Sequence, residues 1–424
     1  MKSKIYYCDV CVAGGGLSGT AAAVAAAREG LNVLLLEETG CLGGAACNNL
    51  VSPFVKYWTE NATGERIPLI RGLFEQIVDN LAQLNGIDEK DRVLFHEEYL
   101  KLVLDRLTRK FGVRVLFHTA VIDASRNGKE LEGVEIYNGT GKSFVKAKFF
   151  IDATGDADIV RAAGYPYTAG RPSDGACQPM TLCFNIGNVH FGDMTHFEVR
   201  KHVNSVYKEW QRLGKIKNPR EDVLIFSSPH PNTLHFNSTR IVGKNPLDAE
   251  DLSLAEAEAR EQMFELFFFL KENFEMFKDS YIINAASGIG VRESTRIRGL
   301  YTLSENDVLS CVKFSDSVAR SNYPVDIHNP IGVGTVLKKI PRGDYYTVPY
   351  RALIPRDSAN LLVCGRAISA DHEAQASVRV MPVVCCMGES AGLAASLAVA
   401  NERTADTIDI ATLHKLQETY NILY

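Results

Sequence analysis

The sequence predicts an α/β fold in which a Rossmann-like domain is interrupted by an α+β domain and completed by the C-terminal residues. An apolar stretch, "CDVCVA", leads through a glycine-rich turn into an alanine-rich helix, and "NVLLLEE" follows as a second buried strand. Two later stretches, "SFVKAKFFIDATGDAD" and "NLLVCGRAI", also have the apolar character of buried strands. Between them, residues from about 165 to 350 carry Pro, Asn, His and Ser turns with mixed strands. We therefore expect domain segments at 1–164, 165–350 and 351–424, of which the first and third form one domain.

The turn after the first strand has the spacing G-x-G-x-x-G. Gly14 allows a sharp turn, Gly16 lets a ligand approach the backbone, and Gly19 lets the helix pack closely on the strand. A pyrophosphate would then lie on the free N–H groups at the helix N-terminus. Glu37 closes the second strand, where a carboxylate can accept hydrogen bonds from a ribose, and its presence disfavours a 2′-phosphate. These features predict dinucleotide binding, but the glycines alone do not distinguish FAD from NAD.

Size and composition exclude several functions. The chain has 424 residues, of which 46% are hydrophobic and 23% charged, as in ordinary globular proteins. Its net charge of −5 and scattered basic residues predict that it binds neither nucleic acid nor an acidic membrane surface. We find no run of about 20 apolar residues, so no membrane span is expected. The N-terminus passes directly into a strand without a secretory signal pattern, so we expect a cytoplasmic protein with reduced cysteines.

A long helix is predicted within the inserted segment. It begins at Ser253, with Glu256 three residues on as a capping box, and continues through "EAEAREQMFELFFFLKENFEMF". Its phenylalanines are expected in the core or between domains, and they are also a candidate interface for a homo-oligomer. The segment "SGIGVRES" lacks the third glycine and a preceding buried strand, so no separate NAD(P)H domain is predicted.

Several stretches together resemble a known family. They are "CVAGGGLSGTAAAVAAAREG", "LLLEETGCLGGAA", "IDATGDADI", "GIGVRESTRIRGLYTLSENDV" and "YTVPYRALIPRDSANLLVCGRAISADHEAQASVRVMPVVCCMGESAG". The chain resembles the glutathione-reductase-type FAD fold. Within it, the chain resembles the FAD-dependent oxidoreductase family, which also includes heterodisulfide-reductase A-like flavoproteins. The resemblance implies FAD as the cofactor and a substrate or cap domain in the insertion, although residues 165–280 carry no motif.

The resemblance implies an FAD contact for a set of residues along the chain. Val121 would meet the adenine through its backbone, and Arg366 stands where an aspartate is usual, as a candidate for neutralising phosphate. Met381 and Pro382 precede a helix whose N–H groups would point at the N1–C2 edge of the flavin ring. The complete set is Gly14, Gly15, Gly16, Leu17, Ser18, Gly19, Glu37, Glu38, Gly43, Gly44, Ala45, Val121, Gly155, Asp156, Gly365, Arg366, Met381 and Pro382.

Three residues are predicted to take part in the chemistry. His372, in "SADHEAQASVR", precedes the ring-facing stretch, and an imidazole suits acid–base work near neutral pH. Arg379 and Arg292 are candidates for binding an anionic substrate, because guanidinium groups match carboxylates and phosphates. If residues 292–298 form a strand, its three arginines share one face. Alternative proton-handling residues are His328, Tyr345 and Tyr346, and each of these side chains has a purely structural alternative.

The cysteines predict neither a redox disulfide nor a metal site. The segment "CLGGAACNNLVSP" resembles the loop that carries the redox pair in flavin disulfide reductases. After four intervening residues, however, Ser52 occupies the place of the second cysteine, so Cys47 is expected to be a lone thiol. Cys8 and Cys11 have C-x-x-C spacing, but strict strand alternation would put them on opposite faces.

The sequence favours an FAD-dependent oxidoreductase that transfers hydride at flavin N5 to or from a small polar, anionic organic substrate. The heterodisulfide-reductase resemblance leaves open an electron-transfer subunit that works with a protein partner, although no four-cysteine run for an iron–sulfur cluster is present. A third hypothesis is a dinucleotide binder without turnover, similar to thiazole synthase. The sequence specifies neither the substrate nor the direction of the reaction.

Overall fold

The structure, a computed structural model, describes residues 4–424. Its strands, in chain order, are β1 (Lys4–Ala13), β2 (Val33–Leu36), β3 (Trp58–Glu60), β4 (Arg66–Pro68), β5 (Arg114–Leu116), β6 (Ala120–Asn127), β7 (Glu130–Asn138), β8 (Gly141–Asp152), β9 (Tyr167–Ala169), β10 (Phe184–Gly187), β11 (Ile225–Ser227), β12 (Leu234–Phe236), β13 (Tyr281–Ala285), β14 (Thr295–Ile297), β15 (Ser317–Ser321), β16 (Val325–His328), β17 (Thr335–Lys338), β18 (Tyr346–Pro349) and β19 (Leu361–Val363). The α-helices are α1 (Leu17–Arg28), α2 (Leu73–Gln83), α3 (Glu97–Lys110), α4 (Asp158–Ala162), α5 (His196–Arg212), α6 (Ala249–Asn273), α7 (Glu305–Leu309), α8 (His372–Val378), α9 (Met381–Asn401) and α10 (Ile410–Thr419).

A seven-stranded sheet forms the centre of the molecule, with the order β5-β2-β1-β8-β7-β6 and β19 also paired to β8. Strands β5, β2, β1, β8 and β19 run parallel, whereas β6 and β7 are antiparallel additions. Strand β8 is long enough to pair with β7 near Val145 and with β19 at Phe150–Asp152. The C-terminal segment therefore completes the sheet begun at the N-terminus, which confirms the predicted α/β class and its parallel sheet.

Helix α9 packs directly against α1, and small residues make this approach possible. A Cβ added to Gly388 would lie 2.0 Å from the carbonyl oxygen of Ser18, and one added to Gly392 would lie 2.2 Å from that of Ala22. By length and composition α9 could cross a membrane, because its mean hydropathy reaches 1.7, but 83% of that window is buried inside the protein. Its apolar character therefore matches that of a core helix.

A second core lies in the inserted segment. Strands β11, β12, β10 and β13 form a four-stranded antiparallel sheet, and α5 and α6 cover it; we call this region the four-stranded unit. Its buried residues run from Met180 to Ile289. Buried residues between 303 and 350, which the sequence assigns to the inserted domain, pack instead in the core of the main sheet. The two cores thus divide the chain differently from the predicted boundary at residue 350.

Helix α6 begins earlier than the sequence predicts. Asp248 is its N-cap, and its carboxylate accepts hydrogen bonds from the backbone N–H groups of Glu250 and Asp251. Ser253 is an interior residue whose hydroxyl donates to the carbonyl of Ala249, so the predicted capping box at Ser253 is wrong. The carboxylate of Glu256 accepts a hydrogen bond from the N–H of Ile289 instead. A better acceptor one turn upstream displaces the predicted start.

Strand β1 departs from regular alternation near Asp9. The N–H groups of Asp9 and Val10 both donate to the carbonyl of Asn32. This irregularity shifts the side-chain phase by one residue, so Cys8 and Cys11 face the same buried cluster rather than opposite faces. All ten cysteines are free thiols.

Candidate functional site

A cavity of about 960 Å³ lies between the carboxyl ends of the parallel strands and the four-stranded unit. Ala13, Leu36 and Ala153 line it where β1, β2 and β8 end, and Thr181 and Asn237 line it from the opposite side. Ligands of open parallel sheets bind in crevices at this end of the strands. The position alone identifies the cavity as the candidate site.

The glycine turn shapes one end of the cavity. Gly14 has a φ of +94°, and a Cβ there would lie 2.4 Å from the carbonyl oxygen of Ala153. Gly19 is equally constrained, because its Cβ would lie 1.8 Å from the carbonyl oxygen of Gly14. Gly16 differs: its φ is −62° and the nearest atom to an added Cβ is the Cα of Gly44, at 3.9 Å. Gly14 and Gly19 therefore serve packing, whereas Gly16 leaves open space for a ligand.

The N-terminus of α1 faces this open space without a capping side chain. Gly16 is the N-cap, so no side chain satisfies the first N–H groups of the helix. Those groups and the helix dipole together favour a negatively charged ligand. Leu17 and Ser18, the first residues of α1, line the cavity at this point. The local chemistry fits a pyrophosphate.

Glu37 and Glu38 lie where β2 ends, and both line the cavity. The Oε2 of Glu37 accepts a hydrogen bond from the N–H of Gly15 at 2.7 Å, and its Oε1 accepts from the N–H of Thr39 at 2.8 Å. These bonds fix the carboxylate beside the glycine turn. Burial, followed by the charge of Glu37, raises the pKa of Glu38.

The segment with Gly43 and Gly44 closes over the turn. Gly16 and Gly43 form a parallel bridge, and both Gly43 and Gly44 have positive φ angles, of 109° and 50°. Cys47 is buried behind this segment, does not line the cavity, and its thiol donates to the carbonyl of Glu97. Burial raises the pKa of Cys47 far above its usual range, so it is an unreactive thiol.

Asp156 and Arg366 form an ion pair in the cavity wall. The Nη2 of Arg366 lies 2.7 Å from Oδ1 of Asp156, and the hydroxyl of Ser294 donates to the same oxygen. Burial opposes ionisation of Asp156, but the charges of Arg366 and Arg161 and the hydrogen bonds from Ser294 and Arg366 together outweigh it and hold the pKa of the carboxyl below its usual value. Arg366 is therefore already neutralised within the protein.

Most residues that the family resemblance assigns to FAD line this one cavity. Those that do are Gly14, Gly16, Leu17, Ser18, Glu37, Glu38, Gly43, Gly44, Ala45, Val121, Gly155, Asp156, Gly365, Arg366 and Met381. Gly15, Gly19 and Pro382 do not line it. Gly15 contacts Leu42 and Glu37, and Pro382 is buried in the first turn of α9. Residues from both ends of the chain thus meet at one site.

Four arginines line the other end of the cavity: Arg200, Arg220, Arg292 and Arg379. Among residues 4–424, none of them lies within ion-pair distance of a carboxylate, whereas Arg240, Arg296, Arg351 and Arg366 all do. Arg220 is only 4% exposed, and its Nε and Nη1 have no hydrogen-bond partner among the described residues. The Nε of Arg379 is likewise buried without one.

Arg292 is held by neutral groups alone. Its Nη1 donates to the carbonyl of Pro179 and to the hydroxyl of Thr181, at 2.6 and 2.5 Å. Burial, reinforced by the charges of Arg220 and Arg379, lowers the pKa of Arg292 to about 9. Burial is the larger cause of this shift, and the neighbouring positive charges, which a bound anion would offset, add to it.

Three carboxylates that line this end of the cavity form hydrogen bonds or ion pairs with groups other than these arginines. Glu221 accepts a hydrogen bond from the hydroxyl of Thr335 at 2.7 Å, and Asp222 pairs with Lys208 at 2.8 Å. Glu256 accepts from the N–H of Ile289 at 2.6 Å. Among residues 4–424, no carboxylate is therefore within ion-pair distance of these arginines, and the nearby charges of Glu221 and Asp326 compensate theirs only in part.

Tyr323, Asp326 and His328 form a polar group beside the arginines. The hydroxyl of Tyr323 donates to Oδ2 of Asp326 at 3.2 Å, and Nε2 of His328 lies 3.6 Å from the same oxygen. Burial opposes ionisation of Asp326, but His328 and the nearby arginines outweigh it and hold its pKa well below the usual value. Burial and the charge of Arg292 lower the pKa of His328 to about 3, so its imidazole is neutral.

His372 lies outside the cavity. It is the first residue of α8, only 2% exposed, and its Nδ1 is 2.8 Å from Oε1 of Glu293. This position gives no support to the predicted acid–base role, because the imidazole is enclosed by a buried ion pair. Tyr346 is also a core residue, bonded to Ser377, and Tyr345 packs against lysine and arginine side chains outside the cavity.

The predicted face of three arginines does not form. Only Thr295–Ile297 is a strand, Arg292 precedes it, and Arg298 is exposed. Arg296 turns inward to pair with Glu293. Irregular backbone before β14 therefore separates residues that strand alternation would place together.

The sequence patterns do not mark Arg200, Arg220, Tyr323 or Asp326 as site residues. Arg220 lies in an irregular segment between α5 and β11, where no periodicity marks it. Asp326 and His328 are two residues apart on β16, and this alternation was a usable signal for a shared face.

The fold and the site together define a dinucleotide-binding α/β protein whose cavity extends from the glycine turn to four arginines. A family model described as FAD dependent oxidoreductase matches residues 9–418. The chain therefore belongs to the FAD-dependent oxidoreductase family, and FAD is its cofactor. The uncapped helix N-terminus, the open space at Gly16 and the carboxylates after β2 fit this group.

Solved structures share the fold at low sequence identity. A geranylgeranyl bacteriochlorophyll reductase-like protein from Thermoplasma acidophilum has a TM-score of 0.50 and 14% identity, over 99% of this chain and 85% of that chain. The flavin-dependent brominase Bmp2 has a TM-score of 0.51 and 13% identity, over 98% of this chain and 84% of that chain. A comparison with curated protein sequences finds no match. At these identities the likeness shows the fold alone.

Proposed function

We propose that this enzyme oxidises or reduces a small, polar, anionic organic molecule, with hydride transfer between the substrate and flavin N5. The observation that carries the proposal is that one cavity joins the glycine turn to four arginines without carboxylate partners. We also propose a glutathione-reductase-type arrangement, in which the four-stranded unit is the substrate-binding cap.

The first end of the cavity would hold the nucleotide. Bound FAD supplies the redox chemistry of the site. The N-terminus of α1 would bind the pyrophosphate, and Glu37 would accept hydrogen bonds from the adenosine ribose. The N-terminus of α9 lines the cavity through Val380 and Met381, directly after Arg379 in the chain. Its positive dipole would favour negative charge on the ring.

The second end would hold the substrate. Leaving a buried guanidinium without a counter-charge is costly, so the cluster of Arg220, Arg292 and Arg379 is built for an anion. Guanidinium groups bind carboxylates through paired hydrogen bonds, which also fixes orientation. We therefore propose a carboxylate as the anionic group of the substrate.

Tyr323 is the residue best placed to handle a proton. Burial, followed by the charge of Asp326, raises its pKa to about 12, so the phenol keeps its proton at neutral pH. Asp326 accepts that hydrogen bond and lies beside the arginines. In our proposal Tyr323 exchanges a proton with the substrate oxygen, and Asp326 orients the phenol.

Anaerobic titration of the flavin tests the proposal. The purified protein should absorb near ~450 nm, as flavins do. A panel of small hydroxy- and amino-carboxylates should include compounds that bleach this band, while their methyl esters and amides should not. A protein that stays colourless after incubation with FAD, or bleaching by the esters as efficient as by the acids, would refute it.

The protein partners of this enzyme and its cellular location remain predictions. Stoichiometric copurification with an iron–sulfur protein would support the electron-transfer subunit instead. Denaturation that releases a nicotinamide-derived adduct rather than FAD would support the dinucleotide binder without turnover. We expect a cytoplasmic enzyme, and Phe264 and Phe268, exposed on α6, are the candidate contact of a homo-oligomer.

A further inference from the structure

A second cluster of polar side chains lies away from the cavity, where the two cores meet. His96 and Glu97 are at the N-terminus of α3, and His230 lies in the loop between β11 and β12. One ligand atom from each of these three side chains lies within 4.8 Å of the others. The two imidazole rings are in edge contact, with centroids 4.2 Å apart and planes at 69°.

The side-chain donor atoms of this cluster form no other hydrogen bond within the described structure. The Nδ1 of His96 is buried and has no hydrogen-bond partner among residues 4–424. Within the same residues, the only hydrogen bond of His230 is from its backbone N–H to the hydroxyl of Ser228, and Glu97 offers only its backbone carbonyl, to Cys47. Two imidazoles and a carboxylate are thus brought together with free lone pairs. One of the donor atoms, Nδ1 of His96, is buried away from water.

We propose that His96, Glu97 and His230 bind a divalent transition-metal ion of the zinc class, which ties the four-stranded unit to α3. Two imidazole nitrogens and one carboxylate oxygen suit Zn²⁺, whereas Ca²⁺ and Mg²⁺ prefer oxygen ligands throughout. Zinc lies ~2.0–2.2 Å from such donors, so two donors of one ion are at most ~4.4 Å apart. The ligand atoms lie within 4.8 Å of one another, and small rotations of the side chains would bring them to this shorter distance. Water would complete the tetrahedron, since the cluster is only half-buried.

The location of the cluster indicates which contact a bound ion would stabilise. Glu97, Ser228 and Pro229 line a small cleft together with Ser52, and Ser52 also lines the main cavity. An ion here would fasten the β11–β12 loop to the N-terminus of α3, next to the segment that carries Ser52. Metal binding is therefore expected to stabilise the contact between the two cores without entering the flavin chemistry.

Metal stoichiometry measured on the FAD-loaded protein, without a histidine tag, tests the proposal. After chelator treatment, exposure to Zn²⁺ and gel filtration, the wild type should retain about one equivalent, as one tetrahedral site requires. His230→Ala and Glu97→Gln should each lower zinc affinity at least tenfold in competition with a chromophoric chelator. His190→Ala, at an exposed histidine of the same unit, is the matched control and should bind like the wild type.

Two further readouts keep the test decisive. The melting temperature of the wild type should rise with added Zn²⁺, and that of His230→Ala should not. Co²⁺ should give the d–d absorption of a tetrahedral site in the wild type, which needs no variant to fold. Wild-type protein that retains no more zinc than His230→Ala and gives no Co²⁺ spectrum would show that the two histidines merely pack. These readouts do not depend on the flavin reaction, so they fail or succeed independently of the proposed function.

Discussion

The imidazole of His372 and the carboxylate of Glu293 lie 2.8 Å apart, and the same carboxylate pairs with Arg296. All three side chains are buried. Glu293 also accepts a hydrogen bond from the N–H of Gln178, and Arg296 donates to the carbonyls of Gly170 and Ala370. The carboxylate therefore neutralises a buried cation that joins four separate segments of the chain.

We expect Glu293→Gln to lower the free energy of unfolding by ~3–5 kcal/mol, because it leaves Arg296 buried without a counter-charge. Urea unfolding, followed by circular dichroism, measures the change. Glu305→Gln is the control, since Glu305 pairs with Lys338 at the surface, and its loss should cost less than ~1 kcal/mol. Equal costs for the two variants would contradict a structural role for the buried pair.

Gly16→Val should abolish FAD binding while the fold is retained. The φ of Gly16 suits any residue, and an added Cβ meets no atom closer than 3.9 Å, so the new side chain projects into the space left for the ligand. We expect FAD affinity to fall at least tenfold, or by ~1.4 kcal/mol, measured by flavin absorbance of the reconstituted protein. Gly139→Val, at a glycine with open space elsewhere, should bind FAD normally. Normal flavin loading of Gly16→Val would refute the placement of the pyrophosphate.

Arg220→Gln should weaken anion binding beside the flavin. Small carboxylates bound near the ring should perturb its absorption spectrum, and titration of this perturbation gives their affinity. We expect a loss of about tenfold to a hundredfold in Arg220→Gln, because a hydrogen bond to a charged group contributes ~1.5–3 kcal/mol. Arg298→Gln, at an exposed arginine, should leave the affinity unchanged. If both variants bind carboxylates like the wild type, the arginine cluster is not the anion site.

Two buried histidines that are neutral in the folded state should each contribute less stability as the pH drops below ~6.5. Burial lowers the pKa of His235 to about 4, and its Nδ1 contacts Oδ1 of Asn185. Between these pH values the unfolded chain binds a proton that the folded chain does not. This contribution to stability is therefore complete above pH ~6.5 and decreases by up to ~1.4 kcal/mol per pH unit below it.

His235→Gln should make this pH dependence shallower without abolishing it, because His328 has its pKa lowered to about 3 and contributes in the same direction. Urea unfolding at several pH values from 4.5 to 7.5 gives the two slopes, using ~1.4 kcal/mol per unit as the scale for one proton. Identical slopes for the variant and the wild type would mean that His235 is protonated in the folded protein.

Cys47→Ser should keep both FAD and activity. The thiol is buried outside the cavity with a pKa far above its usual range, so neither FAD nor the substrate would contact it. We expect an unchanged flavin spectrum and an unchanged rate of native thiol labelling, since Cys47 contributes no reactive thiolate. A variant without flavin, or one that loses a rapidly labelled thiol, would reopen a redox role for this cysteine.

The sequence by itself determined the features that depend on local pattern. The glycine turn, its helix and Glu37 follow one another within a single strand–helix–strand unit, so spacing alone specified the dinucleotide end of the cavity. The start of α6 was misjudged because Asp248 and Ser253, five residues apart, are both residue types that cap helices.

The tertiary structure decided which distant residues share a site. Arg220, Arg292, Arg379 and Asp326 come from four separate segments, and no periodicity relates them; only the packing of the four-stranded unit over the sheet brings them to one cavity. The same packing encloses His372 and unites His96 with His230. Charge and burial are properties of the folded surroundings, so a side chain's role at such a site follows from long-range contacts that the local sequence does not encode.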